Sequence, residues 1–459
     1  MNKKYLFILS LLLPPAMTNA QENILDMTTA RDADTSRKWT LHDCITHALN
    51  NNITLKKNNV AILSSKEDVE QAKAALLPSL SASTNQSIGW RPWNEAGVST
   101  VANGTVVNKV SKTYYNGNYA LNAQWTLWNG NKNRNTLKQN ILEANKAELD
   151  SATNANALKE QIAELYVQIL YLNEAIEVNR QSLATSMKNE ERGRMMVEVG
   201  KMSKADLAQL TAQTKQDEYN IVNAQAETEK AKMQLKQILE LQGDMTFDIV
   251  IPEKNDHEAL ANIPALQTVY EQALASRPEI AGSLLNIESQ KIGVKIAKAG
   301  KMPQINLTGG MGTSTTSMNN HGGSYQLKTN FDASLGLSLS LPLFDNRTTK
   351  TNVNKAKLAV IDADLDLQDK RKTLYSTIEG YWIDANTNQQ KFKAAQASVE
   401  SMQASYDLLS EQFRLGLKNI VELMTGKNNL VTAQQNMLQS KYMTILDIQL
   451  LKFYKGEEI

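Results

Sequence analysis

The chain carries one long design twice, and that duplication constrains its architecture more than any other feature. An alternating stretch ending Trp125-Thr126-Leu127-Trp128-Asn129 runs into a long heptad-patterned segment that stops near Val199-Gly200. A second, ending Leu339-Ser340-Leu341-Pro342-Leu343-Phe344-Asp345, runs into a similar segment that stops near Leu415-Gly416. Trp128 and Phe344 are 216 positions apart, and so are Gly200 and Gly416, so the copies align here without a gap. Internal repeats set the architecture and are read first. Each copy joins a sheet period to a coiled-coil period, which predicts a β-barrel continued by a helical tube.

The strand signal is period 2. Tyr115, Gly117, Tyr119, Leu121, Ala123, Trp125 and Leu127 alternate with Asn116, Asn118, Ala120, Asn122, Gln124 and Thr126. Phe331, Ala333, Leu335, Leu337, Leu339 and Leu341 alternate with Asp332, Ser334, Gly336, Ser338 and Ser340. Leu80 to Trp90 and 304–313 are weaker partners. A tilted transmembrane strand needs about 10 residues, the length seen here. Trp90, Trp93, Tyr114, Trp125 and Trp128 fall near strand ends, where interface aromatics sit. A half-buried strand of a soluble sandwich gives the same alternation, but nothing else in the chain offers cover for these apolar faces. Residues 91–113 and 314–329, rich in Asn, Gly, Ser and Thr, read as the hairpin loops.

The helix signal is stronger. Ile162, Leu165, Ile169, Leu172, Ile176 and Asn179 belong to one seam stepping by 4 and 3, and Leu374, Ile378, Tyr381, Ala385, Asn388 and Phe392 to another. A sustained 3.5-residue repeat is a coiled-coil seam. Each long helix is followed by a shorter one running back, Lys204 to Leu241 and Ile420 to Tyr454, and hairpins of this length do not fit a compact globular domain. Upstream, helices over Leu41 to Asn50 and Ile53 to Leu76 precede Pro78, and helices over Leu266 to Ser276 and Ile280 to Ala299 precede Pro303.

The expected organisation is a signal peptide over 1–20, a leader over 21–38 and a first repeat over 39–242. A linker follows over 243–265, with a short strand at Phe247, Ile249 and Ile251, then a second repeat over 266–454 and a tail over 455–459. Within the repeats, strand pairs fall at about 79–128 and 304–344, and helical hairpins at about 133–241 and 349–454. The signal reading rests on Lys3 and Lys4 before an apolar run from Tyr5 to Leu13, then Thr18-Asn19-Ala20. Downstream there is no run long enough for a transmembrane helix. Four strands cannot close a barrel, and edges facing lipid leave backbone groups unpaired at several kcal/mol each. The chain must therefore oligomerise; three chains would supply twelve strands, and two or four would also close.

These residues resemble the trimeric outer-membrane efflux ducts of the TolC type, over about residues 39 to 454. The resemblance is carried by Trp39-Thr40-Leu41 through Ala48-Leu49-Asn50-Asn51-Asn52, by Leu76-Leu77-Pro78-Ser79-Leu80, by Leu341-Pro342-Leu343-Phe344-Asp345, and by the tips Val199-Gly200 and Leu415-Gly416-Leu417. It implies a homotrimer with a 12-stranded barrel and a long periplasmic α-helical tunnel. It also implies a passive duct in the outer membrane, working with a periplasmic adaptor (a membrane fusion protein) and an inner-membrane pump of RND or ABC type. Asp206, Glu422, Lys418 and Phe413 match positions of the periplasmic aperture. Gly200, Lys201, Met202, Gly416 and Leu417 match the tips that meet the adaptor. Trp128-Asn129-Gly130 departs from the family's Phe-Asp-Gly.

The local sequence offers another role for the two acids. Ser203-Lys204-Ala205-Asp206 reads as a capping box, and Asn419-Ile420-Val421-Glu422 nearly so. Capping alone and capping with an aperture role both remain open. Gly200 and Gly416 suit the left-handed turn that ends a helix.

Enzymatic and nucleic-acid functions lack their residues. The 49 basic and 48 acidic residues leave no basic excess for nucleic acid. His42, Asp43, Cys44 and His47 cluster in sequence, but the two histidines do not share a helix face. Gly309-Gly310-Met311-Gly312 lies in a strand, not before a helix, so it is no phosphate loop. No cofactor or metal is expected, and Cys44 stands alone without a disulfide partner. The competing readings are a structural coiled-coil trimer or surface adhesin with a small β domain, and a secreted enzyme on a helical scaffold.

Overall fold

A computed structural model describes residues 38–93, 97–101, 104–108, 112–241, 247–252, 256–319 and 321–458. The expected signal peptide, and all of the leader except Lys38, lie outside the described residues. The chain forms α1 (Leu41–Asn51), α2 (Ile53–Ala74), β1 (Ser79–Trp90), β2 (Gly97–Val101), β3 (Gly104–Asn108), β4 (Thr113–Trp128), α3 (Lys132–Glu198) and α4 (Lys204–Ile238). It continues through α5 (Leu266–Ser276), α6 (Pro278–Ala299), β5 (Gln304–Thr316), α7 (Gly323–Thr329), β6 (Asp332–Ser340), α8 (Thr348–Arg414) and α9 (Ile420–Lys455).

The two long helices, α3 and α8, have 67 residues each. At 1.5 Å per residue each is about 100 Å long. Both begin alike. The Asn129 side chain accepts from the backbone N–H of Asn133 at 3.3 Å, and the Asp345 carboxylate accepts from that of Thr349 at 2.8 Å. Asn129 therefore performs the capping that Asp performs in the second copy, which explains why the departure from Phe-Asp-Gly leaves the helix start intact. Both helices also leave the sheet through left-handed residues, Gly130 and Asn131 in one case, Asn346 and Arg347 in the other.

The antiparallel sheet runs in the order β1-β4-β5-β6. Its register explains the alternation. Leu80 faces Ala123, Ala82 faces Leu121 and Ile88 faces Tyr115. Leu121 faces Met311 and Trp125 faces Leu307; Leu307 then faces Leu337 and Ile305 faces Leu339. One side is therefore apolar across all four strands. The other carries Ser81, Ser83, Asn116, Asn118, Asn122, Asn306, Ser334 and Ser338. The apolar side is open: Ile88 and Leu335 are each 78% exposed. β1 and β6 pair along one edge only. At the base, Trp125 Nε1 donates to the Leu76 carbonyl at 2.9 Å, fastening the sheet to the end of α2.

Three expectations need correction. The segment 91–113 is not all loop, since β2 and β3 form a separate hairpin from Gly97 to Asn108. The segment 314–329 contains α7, held by Gln326, whose side chain accepts from Thr316 N–H at 2.7 Å and donates to the Thr316 and His321 carbonyls. Phe247, Ile249 and Ile251 do not make a strand. Trp39 instead forms a lone parallel bridge with Ile249, exchanging backbone bonds with Asp248 and Val250 at 2.9 Å. Phe247 and Ile249 are held by burial in an apolar core, not by a sheet.

The helices share their cores with neighbours. One core joins α1, α3 and the end of α4 around Cys44, Ile162, Ile169 and Leu235, and a second joins α5, α6, α8 and α9 around Val269, Ile378 and Leu451. Arg277, the N-cap of α6, ties the repeats together. Its guanidinium bonds Glu160 of α3 at 3.0 Å and lies 3.7 Å from the Tyr454 ring centroid. Asn52 stands at the corresponding position of the first repeat and caps α2 with its own side chain.

The His42–His47 segment is structural. Thr40 and Asp43 form a reciprocal capping box, His47 sits edge-on to Trp39 at 5.1 Å, and Cys44 is fully buried, its thiol pushed up to about 12. Among the described residues no His, Cys, Asp and Glu cluster could hold a metal ion.

Asp447 sits buried against Asn388, which donates to it at 3.0 Å. Burial raises its carboxyl to about 6, above the ordinary value of about 3.9. The folded chain therefore holds this proton more tightly than the unfolded one. That stabilisation is complete below about pH 4 and is lost as pH rises through about 6. Asp447→Asn should raise stability at pH 7.5 by on the order of 1 to 3 kcal/mol and give no gain at pH 4. Thermal unfolding at the two pH values measures it.

Candidate functional site

The turns joining α3 to α4 and α8 to α9 form the far ends of the helical hairpins, opposite the sheet. Both turns are Schellman motifs. Gly200 N–H reaches Val197 O at 3.0 Å and Lys201 N–H reaches Met196 O at 2.8 Å; Gly416 N–H reaches Phe413 O at 3.0 Å and Leu417 N–H reaches Gln412 O at 2.9 Å. The glycines adopt φ of 72° and 74°, where a Cβ costs roughly 1–2 kcal/mol. Nothing lies within 4 Å of an added Cβ at either position. Gly200→Ala and Gly416→Ala should therefore each cost about 1 kcal/mol through backbone strain alone, read as a small fall in thermal midpoint without loss of assembly.

Both returning helices are capped by their own first turn. The Ser203 hydroxyl accepts from Asp206 N–H at 3.0 Å and donates to the Asp206 carboxylate at 2.8 Å. The expected reciprocal box is thus replaced, with the carboxylate taking the hydroxyl proton and not a backbone N–H. Asn419 Oδ1 accepts from Glu422 N–H at 2.9 Å, and Asn419 Nδ2 donates to the Glu422 carboxylate at 3.1 Å. Lys418 forms an ion pair with Glu422, and both side chains stay partly exposed. Both acids stay partly exposed while capping.

The remaining tip residues divide by burial. Phe413 is 4% exposed, inside an apolar cluster with Leu210, Tyr406, Ile420, Leu423 and Leu430. It supports the tip from within and does not itself offer an open surface. Met202, matched by the resemblance to the tips that meet the adaptor, is partly buried against the same cluster. Leu417, 71% exposed, and Lys201 remain on the outside.

Sequence reasoning missed a polar lock just above this cluster. Lys427 of α9 is buried against Asp217 of α4, and its ammonium also bonds the Ser186 hydroxyl of α3 at 2.5 Å. Ser186 donates to the same Asp217 carboxylate at 2.6 Å, and Gln213 donates to its other oxygen at 3.0 Å. Burial pulls the Lys427 pKa down, and Asp217 opposes the shift. Asn189 donates to the Tyr406 hydroxyl at 3.3 Å and Gln435 to the Asn179 side chain at 3.3 Å, so further bonds link the two hairpins along the shaft. The heptads held the signal. Lys427 follows Ile420 and Leu423 at seam spacing, and Asp217 follows Leu210 and Thr214 likewise. Opposite charges in two apolar seams point to each other.

Removing one partner of a buried pair leaves an uncompensated charge, at a cost of about 3–5 kcal/mol. Lys427→Met should therefore lower the thermal midpoint sharply, and adding Asp217→Leu should restore most of it. Equal loss in the single and double variants would mean the pair is not the source.

The comparisons with known proteins fit this geometry. The family model for outer membrane efflux proteins matches residues 44–240 and 269–454, once in each copy. The toxin and drug export protein A of Aggregatibacter actinomycetemcomitans is 24% identical over 411 residues, covering 88% of this chain and 83% of that protein. The outer membrane protein TolC of Vibrio cholerae is 20% identical over 313 residues, covering 68% and 70%. The crystal structure of CusC superposes with a TM-score of 0.77 at 15% identity, covering 91% of this chain and 92% of that one, which speaks for the fold. The chain belongs to the outer membrane efflux protein family. Its class is therefore a transport duct and not an enzyme.

Proposed function

We propose that this chain is one subunit of a homotrimeric exit duct in the outer membrane, extending into the periplasm. The observation that carries the reading is the sheet. Four strands with one continuous apolar side, one continuous polar side and two unpaired edges suit one third of a closed barrel with lipid outside and water inside. The helices leave the base of this sheet and continue the wall. The energy of transport comes from a partner: a periplasmic adaptor joins the duct to an inner-membrane pump of RND or ABC type. Lys201 and Leu417, exposed beside Gly200 and Gly416, are the residues best placed to meet the adaptor.

The aperture reading assigns Asp206 and Glu422 two compatible tasks. Each caps its helix, and around a three-fold axis they supply two rings of carboxylates at the narrow end, which attract cations. Lys418 moderates the second ring through its ion pair with Glu422, and Phe413 stiffens the turn from the core.

Conductance in planar bilayers tests both levels. The wild type should conduct and prefer cations. The Asp206→Asn, Glu422→Gln variant, whose amides still accept cap hydrogen bonds, should lose much of that preference. Identical selectivity would reduce the two acids to caps. A correctly inserted oligomer that never conducts, even with its adaptor present, would point instead to a structural coiled-coil trimer.

A further inference from the structure

Directly beneath the sheet, four cations from two helices surround one cleft of roughly 430 Å³. Arg134 and Lys138 come from the first turns of α3, Lys295 and Lys298 from the last turns of α6, and Asn131 and Asn135 add neutral polar groups. Among the described residues no acid lines the cleft. Among the described residues none of the four cations has an ionic or hydrogen-bonding partner. The positive end of the α3 dipole opens into the same space, and its N-cap, Asn131, makes no side-chain cap bond.

The cleft has a definable side. On α3, Asn133 and Asn140 bond α2 and its C-terminal residue through the Asp68 and Ala75 carbonyls, while Gln139 and Glu143 bond Ser289 of α6. At about 100° per residue these two faces lie roughly a quarter-turn apart, and Arg134 and Lys138 occupy the opposite side. In a closed ring the directions to the two neighbours bend toward the lumen, so the side of α3 turned away from both contact faces lies on the outer wall, beside the groove it shares with the end of α6. Just above it, exposed Leu77, Met302, Leu343 and Phe344 mark the lower rim of the apolar surface. Cations immediately beyond such a rim lie at the depth of lipid headgroups.

The duplication supplies an internal control. At the matching positions of the other copy, Arg134 becomes Lys350, Lys138 becomes Asn354, Lys295 becomes Glu70 and Lys298 becomes Lys73. Lys73 is already paired with Glu70 at 2.6 Å. The fold alone therefore does not require four free cations.

We propose that this cleft binds the phosphate of an anionic phospholipid in the leaflet facing the periplasm. The proposal rests on the barrel reading above. Native mass spectrometry of the purified oligomer, offered phosphatidylglycerol and phosphatidylcholine at equal concentration, tests it. Phosphatidylglycerol should be retained about tenfold or more over phosphatidylcholine, given the attraction of each basic residue near an anionic surface. Arg134→Gln, Lys138→Gln, Lys295→Gln and Lys298→Gln together should abolish that preference, and Lys138→Glu alone should weaken it. Arg347→Gln with Lys350→Gln, in the other copy, should leave it unchanged. Equal retention of the two lipids by the wild type, an unaffected quadruple variant, or equal loss in the second-copy variant overturns the proposal. So does displacement of the lipid by millimolar inorganic phosphate, which would make the cleft a site for the free anion. Conductance in a phosphatidylcholine bilayer separates this from the underlying reading. Wild type and variants that conduct there without a phosphatidylglycerol preference sink the lipid site alone, whereas an inserted wild type that never conducts sinks the duct.

Discussion

The architecture turns on two rows of backbone groups that find no partner among the described residues. β1 and β6 each present an edge with unpaired N–H and C=O groups, and the sheet between them is apolar on one side. In water such edges invite aggregation, and in lipid they are too costly to persist. Closure with further copies of the same sheet satisfies both edges and covers nothing that must face lipid. The two long helices are then obliged to follow, because each is attached to the base of a strand through a fixed left-handed turn.

The shaft solves a different problem. A wall of helices one layer thick has no deep interior, so much of its cohesion must come from shared seams and bonds between neighbours. The larger apolar cores occur where short helices thicken the wall, around Cys44 in one repeat and Val269 in the other, and a smaller one closes the tips around Phe413. Elsewhere polar groups cross from repeat to repeat: Asn189 to Tyr406, Lys427 to Asp217, Arg277 to Glu160. Several of these break the duplication. Arg277 reaches across repeats where Asn52 caps locally, and Lys427 and Asp217 have Thr211 and Ala433 as counterparts. Duplication supplied a symmetrical frame, and unpaired substitutions then joined one half to the other.

Much of this was legible because periodicity is a property of sequence alone. The period-2 stretches and heptads located the four strands and the long helices, and Pro78 and Pro303 marked where helix gave way to sheet. The misses have different causes. α7 lies in a polar segment whose order comes from specific hydrogen bonds, such as those of Gln326, and leaves no periodic trace, whereas 97–108 holds four valines and the hairpin signal Asn103-Gly104 inside a stretch read as loop. Ile249 alternates with its neighbours yet pairs with a single distant residue, Trp39, a choice made by tertiary packing. At the tips, the glycine turns and capping acids were visible as motifs. Burial of Phe413 and partial cover of Met202 depended on how two hairpins lean together, and one heptad seam does not say which partner will cover its end.

The equal length of α3 and α8 has a geometric consequence. The two copies differ by nine residues between Pro78 or Pro303 and the following aromatic, and all of that difference lies upstream of the helices. From Lys132 and Thr348 onward the helices match residue for residue to their glycine turns. Both hairpins therefore reach the same depth, and the free end of the shaft is level. In the proposed trimer, a partner docking end-on would meet a flat rim of alternating, nearly equivalent turns. Loops at the other end can lengthen freely, whereas an insertion in one long helix alone would displace its tip by about 1.5 Å per residue and tilt that rim.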